Sequence, residues 1–105
     1  KEKYVRHKTR ERNPEIIQAK KDEFLQNHGR LFCEACGFDF QAAYGERGAG
    51  CIEYHHNFTL HETDGTRHTR VSDLTLLCSN CHRMVHRRKN WLSVDELKAL
   101  VKVTR

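Results

Sequence analysis

The spacing of apolar residues predicts one helix near the start of the chain and another near its end. In residues 14–28 the apolar side chains recur at helical spacing, Asn13 is placed to cap the segment, and Gly29 stands where helices commonly end. Toward the other end, Ser93 and Glu96 have the spacing of a capping box, which predicts that a helix begins there. These two helices flank a central segment with a different pattern.

The central segment consists of short apolar runs separated by polar loops. Its predicted elements are a tight turn at 33–37, a short helical turn at 38–44, a strand at 51–56, a polar hairpin-like connection at 57–70, a second strand ending at Cys78 and a helix at 79–88. Cys51 is predicted to be a small buried residue of the first strand. Trp91 is predicted to be a core anchor between the last two helices. The pattern indicates an α+β fold in which two strands lead into a helix.

Composition limits how such a fold can be stabilised. The chain has 105 residues and only 37% of them are apolar. Since a domain of this size buries little apolar surface, we expect an additional cross-link to support it. No apolar stretch has membrane-spanning length and no signal-peptide pattern opens the chain, so we expect an intracellular, cytoplasmic protein with no membrane partner.

The formal net charge of +5 favours a polyanionic partner, although many ordinary soluble domains reach this value. Much of the charge lies in the first twelve residues, where Lys1, Lys3, Arg6, Lys8, Arg10 and Arg12 face only Glu2 and Glu11. This segment is interpreted as an exposed arm, which serves either as a solvated lead-in or as a grip on phosphates.

Four of the five cysteines form two Cys-x-x-Cys pairs, Cys33 with Cys36 and Cys78 with Cys81. Two such pairs can present four thiolates to one Zn²⁺, and a closed shell of four sulfurs is structural because it leaves no position for water or substrate. Disulfides are disfavoured because nothing indicates secretion, and a redox Cys-x-x-Cys normally occurs alone. A structural zinc is therefore the favoured interpretation.

Four of the eight histidines lie in two groups, His55-His56 on the predicted first strand and His82 with His86 on the predicted helix. Neighbouring strand residues point to opposite faces, so one of His55 and His56 can bind a metal while the other points toward substrate. His82 and His86 are one helical turn apart and can present two nitrogens to the same ion. Three imidazole ligands leave positions open for water and a phosphate oxygen, as a catalytic divalent metal requires.

These residues resemble the HNH, or ββα-metal, nucleases, in the variety braced by two Cys-x-x-Cys pairs. The matching stretches are Ile52-Glu53-Tyr54-His55-His56, then Asp73-Leu74, then Leu77-Cys78-Ser79-Asn80-Cys81-His82-Arg83-Met84-Val85-His86. The likeness runs from about Cys33 to Arg88 and includes the nuclease domains of modification-dependent restriction enzymes. It implies a single nuclease domain over residues 1–105, with a basic arm and helix (1–30), a zinc-braced ββα-metal core (31–90) and a C-terminal helix (91–105).

The resemblance also implies a role for each polar residue of the core. His56 matches the general base that takes a proton from the attacking water, and His55, His82 and His86 match ligands of the catalytic ion, which is Mg²⁺, Mn²⁺, Co²⁺, Ni²⁺ or Zn²⁺. Asp73 stands where the family often has Asn, whose side chain braces the loop that carries the base. An aspartate can accept such hydrogen bonds but cannot donate them.

Other polar residues near the predicted helix have two interpretations each. Asn80 is an alternative to Asp73 for the bracing role, or it is simply a helix cap. The cations that follow can hold the phosphates flanking the cleaved bond, or they form a solvated helix face. They are Arg83, Arg87, Arg88 and Lys89.

The favoured function is a metal-dependent endonuclease that nicks or cleaves duplex DNA, with little sequence specificity because so small a domain has little surface for base readout. It fits the nuclease part of a restriction enzyme, in which case we expect a longer, prokaryotic chain with an N-terminal recognition domain. The alternative is a non-catalytic zinc module that binds nucleic acid or protein. Such a module requires only the four cysteines and gives no reason for the four clustered histidines. A third interpretation is a family member that has lost activity, but all the expected ligands are present.

Overall fold

The computed structural model describes residues 14–58 and 69–102. Its elements are α1 (Pro14–His28), α2 (Phe40–Tyr44), a 3₁₀ turn (Gly45–Gly48), β1 (Glu53–His56), a second 3₁₀ turn (Val71–Asp73), β2 (Leu74–Leu77), α3 (Ser79–Val85) and α4 (Val94–Leu100). The α+β class expected from the sequence is confirmed. The predicted basic arm and most of the predicted polar connection at 57–70 lie outside the described residues.

β1 and β2 pair antiparallel, in a register that sets His55 opposite Thr75 and His56 opposite Leu74. Every residue of β2 is buried. Because side chains alternate along a strand, neighbouring β2 residues belong to two apolar clusters on opposite faces of the sheet. The sheet is therefore covered on both sides, and its position is fixed from both.

The two clusters differ in composition. One contains the four paired cysteines with Leu77, Val85 and Leu97, and the other contains Phe24, Leu31, Ile52 and Leu76. Val85 is buried because it lies four residues after Cys81, on the same face of α3. The cluster that includes the cysteines thus joins β2, α3 and α4 in a single packed unit.

α1 contributes one buried side chain, Phe24, and ends at Gly29, whose φ of 80° is the left-handed conformation that glycine readily adopts. Between α1 and the sheet lies Glu34, which sits inside the first Cys-x-x-Cys turn. Its backbone N–H donates to the Leu76 carbonyl (2.8 Å), its carboxylate accepts from the Leu76 N–H (2.7 Å), and Lys20 approaches the same carboxylate at 3.8 Å. The first cysteine pair is therefore hydrogen-bonded to the edge of β2.

Three boundaries differ from the sequence-based expectations. α3 ends at Val85 instead of residue 88, because the backbone of His86 is no longer helical (φ −96°, ψ 7°). The C-terminal helix is Val94–Leu100, narrower than 91–105, and its start is set by the predicted capping box, in which the Ser93 hydroxyl accepts from the Glu96 N–H. Cys51 is exposed and precedes β1, since its N–H bonds to Gly48 in a turn, so its predicted place in a buried strand is wrong.

Gly48 generates a stability prediction. A Cβ at this position would lie 2.2 Å from the Phe40 carbonyl oxygen, whereas one at Gly45 would meet nothing within 4 Å and suffer only from a φ of 70°. We expect Gly48→Ala to lower the free energy of unfolding by about 3 kcal/mol or more, because backbone must move. Gly45→Ala, the control, should cost less, about 1–3 kcal/mol, because its φ of 70° and ψ of −150° suit glycine alone but no atom has to move away. Urea unfolding of both variants measures the difference, and equal costs would contradict the steric argument.

Candidate metal centres and nuclease site

The four paired cysteines converge on one point. Their sulfurs all lie within 4.8 Å of one another, and the Cys36 and Cys78 sulfurs are 3.7 Å apart. Four sulfurs placed tetrahedrally at the usual Zn–S distance of about 2.3 Å would be about 3.8 Å apart. All four cysteines are buried and none forms a disulfide. The cluster therefore has the composition and spacing of a structural zinc site.

Backbone amides point at these sulfurs in both turns. The Cys36 N–H donates to the Cys33 sulfur and the Cys81 N–H to the Cys78 sulfur, each at 3.4 Å, so the two pairs have matching geometry. Burial raises the pKa of the Cys78 and Cys81 thiols. Because zinc is bound by thiolates, the ion must displace protons from these buried sulfurs.

A second cluster contains three histidines from two elements. His55 on β1 and His82 and His86 from α3 and its C-terminus each offer a ring nitrogen, and these nitrogens lie within 4.8 Å of one another. His55 is only 3% exposed, and its Nδ1 has no hydrogen-bond partner. A buried polar atom without a partner is costly in free energy. Three imidazoles that each offer one nitrogen to a common point, one of them on a buried ring with an unpartnered polar atom, fit a divalent metal.

The surroundings of two of these ligands, His55 and His86, lower their pKa values and so favour the neutral imidazole. Burial, followed by the charges that His86, His82 and His56 would carry, lowers the pKa of His55 from 6.5 to about 4. Burial and then His82 lower the pKa of His86 as well. Neutral imidazole is the form that ligates metals. His55 and His86 are thus in the metal-binding form at neutral pH.

Glu53 fixes one of these ligands. Its carboxylate lies 2.8 Å from Nδ1 of His82 and accepts a second hydrogen bond from the Ser79 hydroxyl at 2.9 Å. This contact occupies Nδ1 and leaves Nε2 of His82 for the ion, which is the arrangement that carboxylates commonly impose on metal-bound histidines.

Trp91 contacts the histidines instead of anchoring the core. It is 38% exposed, and its ring centroid lies 4.0 Å from that of His86 and 5.6 Å from that of His55. The predicted role between the last two helices is therefore wrong. No periodicity could have revealed the contact, since Trp91 lies in an irregular segment after α3.

His56 has different neighbours from His55, as strand alternation predicts. Its ring contacts are with Tyr54 and Phe58, both at 5.9 Å, and it is 7% exposed. It is the last residue of β1. His56 is therefore the neighbour of His55 in the sequence, but its ring nitrogens do not belong to the cluster of His55, His82 and His86.

Asp73 contacts the end of β1 through its backbone. Its carbonyl accepts from the Asn57 N–H (2.9 Å), while its carboxylate accepts from the Arg70 N–H (2.8 Å) and so closes the 3₁₀ turn before β2. Asn57, which the sequence did not single out, accepts from the Thr75 hydroxyl at 2.7 Å and donates to the Ser72 carbonyl at 3.4 Å. The residue after His56 is thus held by both its backbone and its amide.

The cations selected from the sequence do not share one surface. Arg83 and Arg87 line an open cavity of about 890 Å³, together with Glu53, Ser79, Asn80, His82 and His86. Lys89 lines a second cavity of about 770 Å³ beside His55 and Trp91. Arg88 lines an apolar groove between α3 and α4, which Arg87 also borders. Only Arg83 and Arg87 lie in the cavity that contains His82 and His86.

Comparison with known families agrees with this geometry. The family model described as HNH endonuclease matches residues 33–88, more than half of the chain, and the match includes both metal clusters. The chain belongs to the HNH endonuclease family. The four clustered cysteines fit the zinc-binding variety of HNH domain. A search of curated proteins and a search of solved structures found no match.

Membership of the HNH family indicates that the chain has a nuclease-type domain. HNH nucleases as a family use divalent metals and act on DNA. None of the helices that the structure describes combines the length and the apolar character needed to cross a membrane.

Loss of one zinc ligand should unfold this HNH domain. Zinc binding by such sites is worth about 10–16 kcal/mol, comparable with or greater than the whole stability of a small domain. We expect Cys81→Ser to lose tightly bound zinc and its cooperative thermal transition. Cys51→Ser, which changes the exposed cysteine, is the matched control and should keep one zinc. Zinc content and circular dichroism measure both, and a zinc-free Cys81→Ser variant that melts like the parent would contradict the assignment.

The lowered pKa of His55 predicts an acid-sensitive metal-free histidine site. Between about pH 6.5 and pH 4 the unfolded chain binds a proton that folded His55 does not, so stability should fall as pH falls through this window, by up to about 3 kcal/mol. Urea unfolding of the zinc-loaded protein at about pH 7.5 and pH 5 measures the loss. His55→Gln shares any acid effect on the thiolates but lacks this contribution. Equal losses in the two proteins would contradict the prediction.

Proposed function

We propose that this HNH domain is a metal-dependent endonuclease that hydrolyses DNA phosphodiester bonds, with His55, His82 and His86 binding a divalent ion and His56 acting as the general base. The observation that carries the proposal is the buried His55 Nδ1, which has no hydrogen-bond partner and lies in a cluster of three histidines. A zinc-binding module would gain nothing from this second cluster, because its four cysteines already complete a structural site.

Each part of the site has a task in phosphodiester hydrolysis. The divalent ion would supply charge relief at the phosphorus and at the departing oxygen. The three histidines would hold that ion through neutral nitrogens, leaving its other positions for water and phosphate. Mg²⁺, Mn²⁺, Co²⁺, Ni²⁺ and Zn²⁺ are all candidates, although imidazole ligands suit the last three better than Mg²⁺.

His56 would take the proton of the attacking water. Its place at the end of β1, next to the ligand His55, allows a base and a metal ligand to come from neighbouring residues. Asp73 would support it indirectly, since its carbonyl holds the backbone of Asn57, the residue that follows the base. In this proposal the bracing role belongs to Asp73 and Asn57 together, and Asn80, which lines the cavity beside His82, is a substrate-side residue.

Substrate phosphates would enter from the cavity that contains Arg83 and Arg87. These two guanidinium groups share that cavity with His82 and His86, so a phosphate bound there would lie near the ion. Lys89 would contact the DNA strand from the second cavity. Arg88 is the cation least suited to bind phosphate, because it lies in the apolar groove and lines neither cavity. With few side chains available for base edges, cleavage by this domain would show little sequence preference, and target choice in a restriction enzyme would come from a separate recognition domain.

Plasmid cleavage tests the proposal directly. We expect zinc-loaded protein to nick supercoiled plasmid only after addition of a divalent ion, with Mg²⁺, Mn²⁺, Co²⁺ and Ni²⁺ tried in turn. His56→Ala should lower the rate by about 10²–10⁴-fold while still binding the ion, because only the base is removed. His82→Ala should lose both the ion and cleavage.

The matched control is His28→Ala, which removes a histidine of α1 outside both metal clusters and should cleave at nearly the parental rate. Plasmid that stays intact with every ion, in a protein that binds both DNA and one zinc, would contradict the nuclease proposal and favour the zinc module. Equal rates for His56→Ala and His28→Ala would contradict the base assignment.

A further inference from the structure

Two of the three metal-site histidines are held by strong local constraints. His55 belongs to β1 and faces Thr75 across the sheet, so its backbone is fixed by strand pairing. His82 is oriented by Glu53, whose carboxylate lies 2.8 Å from its Nδ1. Strand pairing therefore anchors the backbone of His55, and the contact with Glu53 anchors the ring of His82.

The third ligand, His86, lacks an anchor of either kind. It follows the last residue of α3, and its backbone is no longer helical. Among the residues that the structure describes, none forms a hydrogen bond with its imidazole. The ring is instead met by Trp91 at a centroid distance of 4.0 Å, with the two ring planes at 86°. This is an edge-to-face aromatic contact, a geometry with a definite orientational preference.

Trp91 is itself held by the core that contains the cysteine cluster. The next residue, Leu92, donates its N–H to the Val85 carbonyl at 3.3 Å and packs against the cysteine cluster. This hydrogen bond closes the loop between α3 and α4 and places the indole over the histidines. Because Trp91 remains 38% exposed and also lies 5.6 Å from His55, its position is explained better by contact with the ligands than by burial in a core.

We propose that Trp91 is a positioning residue of the histidine site, whose indole orients the His86 imidazole so that a divalent ion meets three nitrogen ligands instead of two. Without the indole, the His86 side chain can occupy other staggered rotamers. Binding of an ion by all three ligands must then fix one rotamer, and the lost side-chain entropy weakens the binding. The inference rests on the metal site of the proposed function and goes beyond it by naming what sets the affinity of that site.

Metal binding, measured apart from cleavage, tests this role. Co²⁺ is titrated by calorimetry into zinc-loaded protein in a Cys51→Ser background, and the visible d–d spectrum separates binding at nitrogen ligands from exchange into the thiolate site. We expect Trp91→Leu to weaken Co²⁺ binding by about 10- to 100-fold, the usual effect of losing a partner that orients a ligand. Trp91→Phe, which keeps an aromatic edge, should restore affinity to within roughly threefold of the parent.

Tyr44→Leu is the matched control, because Tyr44 is an exposed aromatic residue whose ring contact is with Phe38, away from the histidines. It should bind Co²⁺ like the parent. Unchanged affinity in Trp91→Leu would overturn the inference, as would equal losses in Trp91→Leu and Trp91→Phe.

A double-mutant cycle asks whether Trp91 acts through His86. If it does, Trp91→Leu combined with His86→Ala should bind Co²⁺ no more weakly than His86→Ala alone. Independent, additive losses would overturn the proposal, since they would mean that the indole supports the fold or another ligand.

Fluorescence provides an answer even if Trp91→Leu fails to fold. Trp91 is the only tryptophan of the chain, so the emission of the unaltered protein comes from the site itself. Bound Co²⁺ should quench that emission with the same midpoint as calorimetry, and His86→Ala should shift the midpoint to higher concentration; unquenched emission at saturation would overturn the inference. If the protein binds Co²⁺ with quenching of this kind but leaves plasmid intact, the result contradicts the proposed nuclease function and leaves the inference about Trp91 standing.

Discussion

The convergence of four buried cysteines on one point is the constraint on which the rest of this domain depends. Without it, β2 and α3 would have little to hold them, because α3 has seven residues and helices this short are unstable in isolation. The cluster includes the start of α3 through Cys78 and Cys81, and it packs against Leu97 of α4. The cysteine cluster thus adds to the two small apolar clusters that cover the faces of the sheet.

The same helix connects the structural site with the histidine site. Cys81 points into the buried cluster, while the next residue, His82, points toward Glu53 and His55. Neighbouring positions on a helix are about 100° apart, so one turn of α3 can serve two metal sites without sharing a ligand. Any movement of the cysteine cluster must therefore move His82, which makes the structural site a determinant of the geometry of the other.

Much of this arrangement could be predicted from the sequence. Both groups of side chains that the structure brings together were predicted, because paired Cys-x-x-Cys turns and two histidines one turn apart are local patterns. Alternation along β1 separated His55 from His56, and the resemblance to HNH nucleases implied which of the two joins the cluster. The contacts that could not be predicted involve residues in irregular segments, where neither helical nor strand periodicity relates one residue to another. Trp91 and Asn57 lie in irregular segments, and the exposed turn position of Cys51 follows from a hydrogen bond to Gly48 that no alternation pattern encodes.

The histidine cluster shows what such a site costs the metal-free protein. Burying His55 with Nδ1 unsatisfied costs about 1–3 kcal/mol, and the lowered pKa values of His55 and His86 mean that protonation cannot relieve it at neutral pH. A fold optimised for stability alone would replace these rings with apolar side chains. Their retention beside a complete cysteine site makes sense if a cation offsets the cost. The core built around the four cysteines is then what allows a domain this small to keep a buried, unpartnered nitrogen among its three candidate ligands.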